Sequence, residues 1–164
     1  MSFNLQQTTD LNFVIKQLES VLSSETDLIA NLSNMSAILN SVLEDVNWVG
    51  FYLLKNDELV LGPFQGGVAC TRIALHRGVC GHAATTKQTV IVNNVHEFPG
   101  HIACDAATNS EIVIPIMKSG TLFGVLDVDS PVHNRFTEVE REFLENAVAV
   151  LEKQLSLIRQ ISII

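Results

Sequence analysis

A chain of 164 residues fits one domain and is long enough to bury roughly two thirds of the surface its unfolded form exposes. Lys plus Arg total 10 against 18 Asp plus Glu, and the net charge of −8 repels phosphate backbones and anionic membrane surfaces, so neither nucleic acid nor membrane is an expected partner. Hydrophobic residues make up 47% with only one Trp and one Tyr, which predicts a globular fold around an aliphatic core, ordered beyond the first few residues.

Met1 to Asp10 carries neither a basic nor an apolar leader pattern, and no apolar run approaches the roughly 20 residues that span a bilayer, which reads as a cytoplasmic protein. Asp10 caps a predicted helix through Ser23, with Leu11, Val14, Ile15, Leu18, Val21 and Leu22 at helical spacing. A second helix follows Asp27, with Leu28, Leu32, Met35, Ile38, Leu39, Val42 and Leu43 on its apolar face, and ends near Asp45. Trp48 to Leu54, a Lys55-Asn56-Asp57 turn and Glu58 to Leu61 read as a β-hairpin, stopped by Gly62-Pro63. A short strand at Thr71 to Leu75 precedes a helix start at Gly78-Val79-Cys80-Gly81, where the helix dipole is expected to lower the pKa of a nearby thiol. Gln88 to Val92 is a short strand, and Asn93 to Ser110 a long irregular stretch of the kind that carries function. Glu111 to Met117 and Thr121 to Asp129 form a second hairpin around Lys118-Ser119-Gly120. Thr137 and Glu140 then make a capping box for a last helix with Phe143, Ala147, Val150, Leu151, Leu155 and Ile158 on its apolar face. Hairpins between terminal helices argue for an α+β domain with an antiparallel sheet. The helices fit either covering of the sheet or a homodimer interface.

Three cysteines, Cys70, Cys80 and Cys104, carry the chemical signal, because a reducing compartment keeps thiols free for catalysis, redox exchange or metal. Each also fits a buried small hydrophobe, Cys80 most readily between Val79 and Ala83. A Cys3His zinc site with His82, His96 or His101 remains open. It fits poorly, since zinc ligands come in close pairs and the cysteines offer none, only His101 and Cys104 being so spaced. Glu111 opens a strand, while Asp127 and Asp129 alternate near a strand end and share a face. A carboxyl cluster there would hold one acid neutral near pH 7; solvated strand-end acids are the plainer alternative. Trp48 and Tyr52, four apart in a strand, share a face and either wall an apolar pocket or pack in the core. His101 either tunes the Cys104 thiol or bonds loop backbone.

The runs Asn47-Trp48-Val49-Gly50-Phe51-Tyr52, Gly62-Pro63-Phe64-Gln65-Gly66, Gly78-Val79-Cys80-Gly81, Phe98-Pro99-Gly100-His101-Ile102-Ala103-Cys104-Asp105, Ser110-Glu111-Ile112 and Leu126-Asp127-Val128-Asp129-Ser130 together resemble the free methionine-(R)-sulfoxide reductases, built on the GAF fold. The resemblance spans nearly the whole chain and implies a single GAF domain over residues 1–164, with its central antiparallel sheet covered by the N- and C-terminal helices. It implies Cys104 as the attacking thiol, Cys70 as the resolving thiol through an intramolecular disulfide, Cys80 as an auxiliary, and thioredoxin as external reductant, with neither cofactor nor metal. By the same resemblance Glu111 and Asp129 bind free methionine sulfoxide, with Asp127 a third member and Trp48 and Tyr52 as pocket walls. The chain departs from the pattern at Asn93-Asn94, where an acidic residue is expected, and at Leu75-His76-Arg77; both bear on substrate affinity more than on chemistry. The rival class is a non-catalytic GAF module that binds a small molecule and signals through its terminal helices.

Overall fold

Asp10 accepts a hydrogen bond from the Asn12 backbone N–H and opens α1 (Leu11–Ser23), and Asp27 does the same from Ala30 at the start of α2 (Leu28–Val42). The computed structural model describes residues 10–102 and 104–158, so the expected onset of order and both ends of the 1–164 domain lie outside the described residues. Two hairpins follow in the chain. The first joins β1 (Trp48–Lys55) to β2 (Glu58–Gly66), with Asn56 and Asp57 both at positive φ in the turn. After β3 (Arg72–Ala74), α3 (Gly78–Thr86) and β4 (Val90–Val92), the second joins β5 (Ser110–Lys118) to β6 (Thr121–Ser130). The capping box of Thr137 and Glu140 is formed and starts α4 (Glu138–Leu157).

The six strands form one sheet in the order β3-β2-β1-β6-β5-β4, every neighbouring pair antiparallel. Strand alternation divides the interior into two layers. Val49, Phe51 and Leu53 of β1, Ile112, Ile114 and Ile116 of β5, and Leu126 and Val128 of β6 pack against the apolar faces of α1, α2 and α4. On the opposite face, Trp48, Tyr52, Val113 and Val125 pack against Val79, Cys80, Ala83 and Ala84 of α3. The large helices therefore cover one face of the sheet. Among the described residues, the other is closed by α3, the 67–71 loop and the 93–110 segment, and that thinner layer is where a cavity opens.

Two boundaries differ from the sequence expectation by about three residues or more. Gly62-Pro63 does not stop β2, which continues to Gly66. The pairing of β1 with β2 shifts register between Gly50 and Tyr52, and β3 pairs only with Glu58 to Val60, so the missing N–H of Pro63 falls where no ladder partner waits for it. Helix α2 stops at Val42 rather than near Asp45, because Leu43 turns to extended backbone and Asp45 takes positive φ. The 93–110 stretch is irregular as expected but tied down. It holds one 3-10 turn at Val95–Glu97, the Val95 N–H donates to Asn109 O at 2.9 Å, and the Asn109 N–H donates to Ser130 O at 2.8 Å. No helix among the described residues is long and apolar enough to cross a membrane.

Candidate active site

Cross-strand register assembles the acidic floor. Glu111 of β5 and Trp48 of β1 both sit opposite Asp129 of β6, while Asp127 sits opposite Gly50 on one side and Val113 on the other. Residues two apart share a face, so Glu111, Asp127, Asp129, Trp48 and Tyr52 all point to the α3 side. They line one cavity with Cys80, Cys104, His101, Ile102 and Asp105. The centre of a water-sized sphere moves through about 40 Å³ of it. Trp48 stacks on Tyr52 with ring centroids 5.8 Å apart and on Phe64 at 5.1 Å, and its indole N–H donates to Gly67 O at 3.2 Å. The wall is thus rigid as well as apolar.

Helix α3 delivers Cys80 to the floor. A Cβ on Gly81 would lie 2.9 Å from Ala74 O, so glycine there lets the helix sit against the end of β3. Cys80 is 4% exposed and its thiol faces Glu111, Sγ to Oε1 being 3.8 Å. The expectation that the helix N-terminus lowers a thiol pKa fails here. Burial, reinforced by Asp127, Glu111 and Asp129, pushes the Cys80 thiol up, because desolvation and neighbouring negative charge both oppose a thiolate.

Burial likewise drives all three carboxyls above their ordinary range, with Asp127 adding to the effect on Glu111 and on Asp129. Oδ1 of Asp127 and Oδ1 of Asp129 are shielded from solvent without a hydrogen-bond donor. Native interiors rarely leave such acceptors unmet, and two at one cavity suit a ligand that brings donors. Burial pushes Tyr52 far up as well, so its hydroxyl stays protonated and donates to Cys70 O at 2.9 Å.

At the rim Cys70 and Cys104 are joined in a disulfide, with Cα atoms 5.5 Å apart across 34 positions of sequence. This leaves Cys80 as the free cysteine and removes Cys70 and Cys104 from any Cys3His metal set in this state. Both cysteines of the disulfide are half-buried. His101 lines the cavity and its pKa is lowered by burial and by His96, favouring the neutral ring; its backbone N–H donates to Phe98 O at 3.1 Å.

One contributor was not singled out from sequence. Asn47 donates through Nδ2 to Asp105 Oδ2 at 2.9 Å and to Thr108 Oγ1 at 3.1 Å, clamping the Cys104 loop to the start of β1. Its place beside Trp48 in the first motif was the available signal.

The GAF domain family matches residues 33–152 of this chain. A free methionine-R-sulfoxide reductase of Escherichia coli (strain K12) is 50% identical over 147 residues, covering 90% of this chain and 87% of that protein. The structure of fRMsr of Staphylococcus aureus in its reduced form superposes with a TM-score of 0.87 at 49% identity, over 94% of this chain and 99% of that one. The free methionine-R-sulfoxide reductase of Neisseria meningitidis, solved in complex with its substrate, gives a TM-score of 0.88 at 45% identity, over 92% and 90% respectively. The chain belongs to the GAF domain family and, within it, to the free methionine-R-sulfoxide reductases.

Proposed function

We propose that this chain reduces free L-methionine (R)-sulfoxide to L-methionine by thiol chemistry at the cavity described above. The observation that carries the reading is the Cys70–Cys104 bond at the rim of a cavity whose floor holds the buried carboxyls of Glu111 and Asp127 and the half-buried one of Asp129. Cys104, as thiolate, attacks the substrate sulfur. The sulfoxide oxygen passes to Cys104, which becomes a sulfenic acid, and the substrate sulfur, gaining two electrons, leaves as the thioether of methionine. The Cys70 thiol then attacks the Cys104 sulfur, the S–O bond breaks, the S–S bond forms and the oxygen departs as water.

The carboxyls have two tasks. One that stays protonated near neutral pH donates to the sulfoxide oxygen as it becomes a leaving group. Another, ionised, holds the substrate ammonium, and the unmet oxygens of Asp127 and Asp129 are placed to accept such donors. Trp48 and Tyr52 flank the methyl and methylene groups. A zwitterion is thereby favoured over a peptide-bound residue, which lacks the free ammonium. Cys80, deep on the floor, acts as an auxiliary that hydrogen-bonds the carboxyls.

Recycling requires an external dithiol to reduce the Cys70–Cys104 bond by exchange, and thioredoxin is the proposed partner. We take the whole chain, 1–164, as one domain working in the cytoplasm, with the terminal helices available for a homodimer. The test is methionine release from the free (R) form, the free (S) form and an N-blocked (R) form, with thioredoxin, its reductase and NADPH. Turnover of the free (R) form alone is expected, and Cys104→Ser should abolish it even with excess dithiothreitol. No turnover of any form by folded, reduced protein would leave a ligand-binding GAF module instead.

A further inference from the structure

Cys80 of α3, Glu111 of β5 and Asp127 of β6 bring one thiol and two carboxyls together from three separate elements. The Sγ, one Oε and one Oδ lie within 4.8 Å of one another, and the side chains are 4%, 6% and 6% exposed. Ion pairs among the described residues are Arg72–Glu58, Arg135–Glu140 and Arg141–Glu138, so none of these pairs reaches Glu111 or Asp127, and Arg77, which lines the same cavity, makes no ion pair with either. Oδ1 of Asp127, shielded from solvent, has no donor. Buried acidic groups without a positive partner either stay protonated or coordinate a cation.

We propose that Cys80, Glu111 and Asp127 form a binding site for a thiophilic divalent cation of the zinc class. The donor set selects the class of ion. A thiolate with two carboxylates supplies soft and hard donors together, which suits Zn²⁺ or Cd²⁺, whereas Mg²⁺ and Ca²⁺ take oxygen ligands. Zinc–sulfur and zinc–oxygen bonds of about 2.3 and 2.1 Å place tetrahedral donors roughly 3.5 Å apart. The Cys80 Sγ to Glu111 Oε1 separation of 3.8 Å is already near that value, and the widest separation in the set is at most 4.8 Å. Binding exchanges protons for metal, the thiol and any protonated carboxyl releasing theirs to solvent. Three protein ligands leave a fourth position for water, and because the ion would occupy carboxyls that the proposed reaction uses, it would compete with the substrate of that reaction. The inference rests on that reading only for this last consequence, because the donor set exists whatever the cavity binds.

The two redox states of the rim make the test selective. With the Cys70–Cys104 bond closed, Cys80 is the sole thiol of the chain's 3 cysteines. Titrating oxidised protein with Cd²⁺ or Co²⁺ should therefore produce a thiolate-to-metal charge-transfer band that saturates at one equivalent. Cys80→Ser should lose the band, Asp127→Asn should raise its midpoint at least tenfold, and a Cys70→Ser/Cys104→Ser double variant should keep it. Absence of a band at millimolar metal overturns the site, as does a band that survives Cys80→Ser or ignores Asp127→Asn. Circular dichroism of each variant separates loss of binding from loss of fold. The readout involves no turnover, so failure of the metal site and failure of the reductase reading are separate results.

Discussion

Gly50→Ala puts a single methyl group where three strands and the aromatic wall meet. Gly50 lies in β1 opposite Phe64 of β2 and Asp127 of β6. Its added Cβ would lie 2.3 Å from Phe64 Cβ, 2.7 Å from Trp48 Cη2 and 2.9 Å from Phe64 Cα. Carbon atoms pack at about 3.5–4.0 Å, so the shortfall against Phe64 is roughly 1.2 Å or more. Two of these atoms belong to or adjoin backbone and cannot rotate away. Relief requires β2 to move or Trp48 to leave its stack. Overpacking of a well-filled interior costs about 1–3 kcal/mol, and a clash of this depth belongs in the upper half of that range. At about 2–4 °C per kcal/mol for a domain of this size, the melting temperature should fall by roughly 4–12 °C. Thermal melts followed by circular dichroism, with urea titrations to confirm a lower midpoint at unchanged m, measure the loss. Emission of Trp48, the sole Trp, should shift as its stack loosens, and kcat/KM for free methionine sulfoxide should fall with it. A melting temperature within a degree of the parent, with unchanged kcat/KM, would refute the reasoning that this close approach sets the width of the floor.

Tyr52→Phe removes the donor to Cys70 O but keeps the ring against Trp48. A net hydrogen-bond value of about 1 kcal/mol predicts roughly fivefold slower disulfide formation in rapid-quench thiol trapping, and an unchanged step would limit Tyr52 to substrate contact. Cys70→Ser should lose thioredoxin-dependent cycling while keeping one round of methionine release; undiminished steady-state rates would hand the resolving role to Cys80. The buried carboxyls also predict how stability follows pH. Their raised pKa values mean that the folded protein holds protons the unfolded chain releases, so their contribution is fully present below the ordinary carboxylate range and declines as pH rises toward the raised values. Glu111→Gln removes one of these groups. The unfolding free energy of the parent minus that of the variant, measured by urea titration at successive pH values, should therefore fall as pH increases above that range. A flat difference would mean that Glu111 ionises normally in the folded protein.

Local signals were enough for the elements and for the motif residues. Asp10, Asp27 and the Thr137–Glu140 box cap helices within a few residues of themselves, and the turns at Asn56-Asp57 and Ser119-Gly120 close their hairpins by short-range geometry. The alternation of Trp48 with Tyr52, and of Asp127 with Asp129, specified a shared face before any strand was paired. Gly62-Pro63 was misread as a stop because the consequence of a missing N–H depends on whether a neighbouring strand needs it. Here the register shift of β1 and the short reach of β3 mean that none does.

The sequence by itself determined the α+β order of elements, the facing of the acidic and aromatic residues and, through motif order, the family. Tertiary structure alone decided which of these groups meet. The approach of Cys70 to Cys104, separated by 34 positions, depends on how two loops cross the rim. The behaviour of Cys80 turned on the same cause: a helix N-terminus is a local feature, but the desolvation and the three carboxyls that push its thiol up come from β5 and β6, and their distance from α3 exists only once the sheet and helix have packed.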